Sequence, residues 1–153
     1  MNLFKVVVPS AIVLSVGLYL ALPSGQAAGA DADTSIPAVL QAGFKLYASG
    51  GGPEAAFDQW RHGGLLERET NAGLPRFRAM VSSIGNYKSH ELIETRGISK
   101  STRLIYLSVN FERGAVYARF VLYRTDRDWV VQHMDFNTRP EAIMPWLALA
   151  ASE

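Results

Sequence analysis

Cysteine is absent from all 153 residues. Structural disulfides, thiol nucleophiles and a lipidated amino terminus are thereby excluded. Charge of one sign is missing too: 15 basic residues meet 14 acidic ones, and the arginines are dispersed rather than run together. Such a balance favours neither nucleic acid nor an anionic membrane surface as partner. Histidine is scarce. His62, His90 and His133 show no H-E-x-x-H spacing, no pairing and no clustered carboxylates, so no metal or other cofactor is expected. Gly50–Gly52 lacks the following Lys and Ser/Thr of a phosphate loop, which leaves it the role of a hinge between helices. Ser82 and Ser83 sit on no G-x-S-x-G elbow, which argues against a serine-hydrolase triad. There is no internal repeat and no low-complexity segment.

What is present begins with an address. Lys5 is the only charge before Asp31, and Val6 to Leu22 is apolar or small apart from Pro9, Ser10 and Ser15. Pro23, Ser24 and Gly25 break the run, and Ala28-Gly29-Ala30 supplies the small residues that a signal peptidase reads. Residues 1–30 are therefore expected to be a signal peptide, with export to the periplasm or beyond. An uncleaved N-terminal anchor is the alternative, and only that alternative implies a membrane partner. Removing residues 1–30 from the 153 leaves 123, so residues 31–153 are expected to form one domain with enough chain for a real core.

Helical spacing comes first. Ile36 to Ala48 places Val39, Leu40, Phe44, Leu46 and Tyr47 at spacings that suit one helix face, with Ser35 as candidate cap and Pro37 in the first turn. Glu54 to Arg61 presents Ala56, Phe57 and Trp60, and Gly63-Gly64 closes it. Leu65-Leu66 could add a short turn; Leu74 to Ile84 then repeats apolar residues at three and four, ending at Gly85-Asn86.

Strand spacing follows. Tyr87 to Ile98 reads as a first, irregular strand, and three segments between Thr102 and Asn137 alternate at period two. A two-residue loop with Gly in Glu112-Arg113-Gly114-Ala115 predicts a tight hairpin with Glu112 facing Ala115 and Val109 facing Ala118. Closing the next turn so that Arg124 faces Trp129 puts Ile105, Leu107, Val109, Phe111, Val116, Ala118, Phe120 and Leu122 on one oily face. Unbroken alternation extends that face through Trp129, Val131, His133 and Asp135; a slip of one residue would invert it. The opposite face, with Tyr106, Tyr117, Val121, Tyr123, Met134 and Phe136, is too apolar for a wet surface. Cover by a second copy in a homodimer, by a terminal segment or by the curl of the sheet is expected. Thr138-Arg139-Pro140-Glu141 has the form of a capping box and predicts a last helical turn.

Helices first and a meander after make a segregated α+β domain, with N-terminal helices packed on a curled four-stranded antiparallel sheet. That order, the hairpin at Arg113-Gly114 and the Asp-Arg-Asp-Trp-Val-Val-Gln-His run at 126–133 resemble the cystatin-like roll of the nuclear transport factor 2-like superfamily, in particular its small exported members of unassigned function. The resemblance covers Ile36 to Pro145. It implies a sheet curled round the helices with a conical cavity at the wide end, but no chemistry, because the superfamily holds isomerases, dehydratases, small-molecule binders and interaction modules. Enzymatic members that use a histidine and an aspartate keep them on cavity walls. Here the first-helix region offers Lys45 and Tyr47 but no carboxylate.

His133 and Asp135 are the candidate polar pair, with Trp60, Phe120 and Trp129 as candidate lining for a ligand. Two readings follow. The first is a non-catalytic module binding a small molecule or a protein. The second is a hydro-lyase or isomerase in which His133 acts as acid/base and Asp135 orients it. The first is preferred, since a complete oily core stands beside only one polar pair. A structural role for the pair, satisfied by caps, Thr138 or arginines, competes with both.

Overall fold

In the computed structural model, which describes residues 35–150, helices come first and a curled antiparallel meander follows in the order β1-β2-β3-β4. The domain is α+β. The signal-peptide and anchor expectations fall on residues outside the described range, and among the described residues no helix is long and apolar enough to cross a membrane.

Helix α1 (Ala38–Leu46) starts after Pro37, whose fixed φ of −55° suits a helix entry; the N-cap position is thus Pro37, two residues beyond the expected Ser35. Instead of stopping at Ser49, the chain continues through a wide π-type turn, Tyr47–Gly51. It breaks direction where glycine alone is at ease, at Gly50 (φ 97°) and Gly52 (φ 63°). Helix α2 (Gly52–Arg61) then lays Ala56, Phe57 and Trp60 into the core, as their spacing predicts. A short 3₁₀ turn, Leu65–Arg68, leads to α3 (Gly73–Ser82), which buries Phe77. Trp60 is fully buried, and its indole N–H donates to the Leu40 carbonyl at 3.1 Å. This bond ties α2 to α1 and removes the one polar atom that the ring would otherwise bury unpaired.

The sheet consists of β1 (Tyr87–Ser99), β2 (Thr102–Phe111), β3 (Gly114–Arg124) and β4 (Trp129–Asn137). All eight oily residues expected on β2 and β3 face the helices and are buried. Their pairing is nonetheless two residues away from expectation: Val109 faces Val116, Leu107 faces Ala118 and Phe111 faces Gly114. A slip of two preserves faces, which is why the inward set survives. The loop is therefore Glu112-Arg113, and Gly114 takes no positive φ. The tip is held from outside, because Glu112 N–H donates to Asn86 O at 3.0 Å and Arg113 N–H to Ile84 O at 2.9 Å. The Glu112 carboxylate also accepts from the backbone and side-chain nitrogens of Asn86. These bonds hold its pKa below the usual carboxylate range.

Register shifts set the faces of the outer strands, one in the β3–β4 pairing and three in the β1–β2 pairing. On β4 the register runs Arg124–Trp129, Tyr123–Val130 and Leu122–Val131, then jumps to Val121–His133, leaving Gln132 as the extra residue. Alternation shifts phase there. Met134 and Phe136 turn inward to meet the core, and His133 and Asp135 point away from the helices. The expected inward placement of His133 and Asp135 is thus reversed, as is the outward placement of Met134 and Phe136. The energy is on the side of the bulge: aligning the strand without it would put a carboxylate and an imidazole among the hydrocarbon and expose a phenylalanine. On β1, Lys88 is the extra residue between the Tyr87–Phe111 and Ser89–Asn110 pairs. Tyr87 and His90, three apart, consequently share the inner face.

Deleting Gln132 leaves every remaining pair in β3–β4 aligned with strict alternation, Val131, Met134 and Phe136 inside. The deletion is expected to keep the fold and cost no more than about 1 kcal/mol. Urea unfolding is the check. A loss several times larger would mean that His133 faces inward in the wild type.

The outer face is covered in part by the chain's own C-terminal segment. Helix α4 (Pro140–Ile143) starts at Arg139 without a side-chain cap, so Thr138 closes no capping box. Ile143 and Met144 bury Tyr106 to 3% exposure, and Trp146, opening α5 (Pro145–Ala150), meets the Tyr106 ring edge-on at 4.9 Å. The Arg96 guanidinium lies 3.7 Å over the Trp146 ring. Of the residues expected at a dimer interface, Tyr106 is therefore covered within one chain and Met134 and Phe136 belong to the inner face. Tyr117 and Val121 remain half-buried on the outer face, and Tyr123 is exposed.

Candidate functional site

His133 and Asp135 do meet, with Nε2 and Oδ2 3.1 Å apart, and the same carboxylate oxygen takes a hydrogen bond at 3.1 Å from Arg119 Nε and a second from its Nη2. Register explains the trio: Arg119 sits directly opposite Asp135 on β3, and His133 is two residues along the same face. A guanidinium on a neighbouring strand therefore satisfies the carboxylate. The His133 side chain is 55% exposed. His133 borders a recess of about 160 Å³ under residues 69–73, while Asp135 and Arg119 border a neighbouring groove of about 440 Å³ beside Arg76 and Ile143. Both openings lie along the β4 edge of the sheet, where Met134 borders each and Phe136 borders the larger.

The expected lining residues do not join this pair. Trp60 and Phe120 are both fully buried, with ring centroids 5.1 Å apart, packed with Phe44 and Phe136. Trp129 is half-buried and stands under the Arg103 guanidinium at 4.7 Å. The interior itself is filled: sixteen buried residues from α1, α2, α3 and the strands form one cluster, and among the described residues no buried one is polar or charged. Also among the described residues, no group of three metal-ligating side chains comes together.

A different pair stands in an open groove. Between α1 and β1 lies a space of about 650 Å³ bordered by Ile36, Gln41, Phe44, Lys45, Tyr87 and His90 among others. The Tyr87 hydroxyl and His90 Nδ1 are 2.7 Å apart. His90 stacks on Phe44 with centroids 4.1 Å apart and planes 12° from parallel, and Phe44 is itself 1% exposed, so the imidazole has a fixed aromatic floor. Tyr47 packs against Tyr87 at 4.9 Å. Burial pushes the phenols of Tyr47 and Tyr87 above the usual tyrosine range, that of Tyr47 further through its neighbour, and pushes His90 below the usual histidine range. At neutral pH the pair is uncharged. A neutral imidazole and a phenol sharing one hydrogen bond keep one donor free in either tautomer: His90 Nε2–H if the hydroxyl donates, the Tyr87 O–H if Nδ1–H donates.

Residue spacing alone conceals this pair, because positions three apart in a regular strand lie on opposite faces. One signal was readable. Tyr87, His90 and Leu92 keep a common face only if one residue between 87 and 90 is extra, and the strand is irregular there.

The depressed His90 pKa has a consequence for stability. As pH falls, the unfolded chain takes up the proton first, so the contribution of the neutral ring is complete above about pH 6.5 and is lost as pH falls through the folded-state value. Stability of the wild type should therefore fall relative to that of His90→Phe between about pH 7 and pH 5, read from urea midpoints. Parallel curves for the two proteins would count against a buried, neutral His90.

Comparisons of the chain with family models, with curated proteins and with solved structures return no match.

Proposed function

We propose that the chain is an exported, non-catalytic binding domain of the nuclear transport factor 2-like type, and that it takes a small molecule in the groove between α1 and β1. The superfamily reading is supported by the helices-first order and the curled meander; export is supported by the run Val6 to Leu22 and the small residues at 28–30. The observation that carries the binding reading is the contrast between two places. The described interior packs apolar and aromatic side chains, with the Trp60 N–H already bonded to Leu40 O, whereas the Tyr87–His90 pair stands on an aromatic floor in an accessible groove of about 650 Å³. Apolar walls with a few convergent polar groups are what ligand sites share.

The enzymatic alternative needed His133 and Asp135 on the wall of a sheet–helix cavity. They stand instead on the outer face, with Asp135 held by Arg119 and with His133 and Asp135 bordering different openings, which favours the binding reading. A thermal-shift screen of a metabolite library against the full chain, His90→Phe and His133→Ala tests the reading. A compound that raises the melting temperature of the wild type and of His133→Ala but not of His90→Phe is expected. No stabilising compound, or one whose effect is lost in His133→Ala alone, would overturn it.

A further inference from the structure

We infer that the groove between α1 and β1 is built for an amphipathic monocarboxylate, an apolar chain or ring ending in one carboxylate; this rests on the binding reading above and names its ligand class. Three features of the wall point the same way. Its charge is one-sided: Lys45 borders the groove, and among the described residues it forms no ion pair and no carboxylate lines the space. An anion entering it would meet a cation that no described carboxylate holds.

Its hydrogen-bonding capacity fits the same headgroup. Gln41 commits one amide N–H to Ile36 O at 2.7 Å. The Tyr87–His90 pair makes no further hydrogen bond among the described residues and keeps one donor available in either tautomer. A carboxylate has two oxygens: one can accept that donor while the other faces the ammonium. Such bonds to an ionised acceptor are stronger than those to a neutral one.

Apart from Ser35, the remaining wall is apolar. Ile36, Ala38, Ala42, Phe44 and Ala48 line the same groove as the polar pair. A ligand that was all charge, such as inorganic phosphate, would leave this surface wet; a ligand that was all hydrocarbon would leave the pair and Lys45 without a partner.

The test uses three probes with one apolar body, octanoate, 1-octanol and octylamine, titrated into the full chain while the His90 and His133 ring signals are followed by NMR. Octanoate is expected to move the His90 signals and to bind roughly tenfold more tightly than the alcohol, with no saturable effect from the amine. Lys45→Met, at an exposed position that leaves the core untouched, should weaken octanoate about threefold to tenfold and leave the alcohol unchanged. If the alcohol or the amine binds at His90 as tightly as the acid, or Lys45→Met weakens acid and alcohol alike, the carboxylate inference is wrong while the groove stands as the site. If none of the three moves His90, or octanoate moves only His133, both the inference and the groove reading fall.

Discussion

Phe136→Ala is expected to destabilise the domain by about 3–5 kcal/mol, while His133→Ala, three positions earlier on the same strand, should cost less than about 1 kcal/mol. The difference comes from the extra residue at Gln132, which turns Phe136 inward and His133 outward. The Phe136 ring lies 4.8 Å from Phe77, 5.3 Å from Phe57 and 5.6 Å from Phe120, centroid to centroid, at 8% exposure. Its loss opens a cavity at the meeting point of α2, α3 and the sheet, where close-packed rings relax only partly. His133 gives up a contact with a carboxylate that Arg119 continues to hold in a half-exposed setting. Equilibrium denaturation of both variants decides the matter. Comparable losses, or a larger one for His133→Ala, would restore the unbroken alternation and with it a polar pair inside the roll.

Gly43→Ala carries the second large effect, and helix propensity predicts the wrong sign for it. Gly43 lies within α1, where alanine is normally better by about 1 kcal/mol. An added Cβ, however, would overlap Trp60 Nε1 and stand 2.5 Å from Cε2 and 2.6 Å from Cδ1 of the same ring. Trp60 has no room to retreat: it is fully buried among Phe44, Phe57, Phe120 and Phe136, and its N–H is committed to Leu40 O. The clash must be relieved by moving α1 away from α2, and overpacking of this kind costs about 1–3 kcal/mol, sometimes more. A net loss of about 2 kcal/mol after the propensity gain is expected, with Trp60→Phe in the same background recovering part of it. A stabilised Gly43→Ala would show that α1 and α2 are farther apart than described. The close approach also bears on the groove, since Phe44, the next residue, carries the ring on which His90 rests.

Much of this architecture is legible in local spacing. Phe57 and Trp60 fall at helical spacing on one face of α2, and Ile105, Leu107 and Val109 alternate on β2; both sets are buried, because a residue's side on a regular helix or strand follows from its neighbours alone. The hairpin register was off by two without consequence, for the same reason. Bulges break that logic. Val131, Gln132, His133 and Met134 read in sequence as two polar residues between two apolar ones, a hint of a phase change. Strict alternation and a bulge assign His133 to opposite faces, and only the partner strand distinguishes them.

Local chemistry by itself determined the order of elements, the oily faces of β2 and β3, and the absence of cysteine and of metal-binding spacing. Which polar side chains could meet was decided in three dimensions. A single unpaired residue at Lys88 brought Tyr87 and His90 together over Phe44, and another at Gln132 sent His133 and Asp135 outside to Arg119. Both outcomes depend on pairing between segments distant along the chain, where burying hydrocarbon and keeping charge wet outweigh the preference of either strand for regularity.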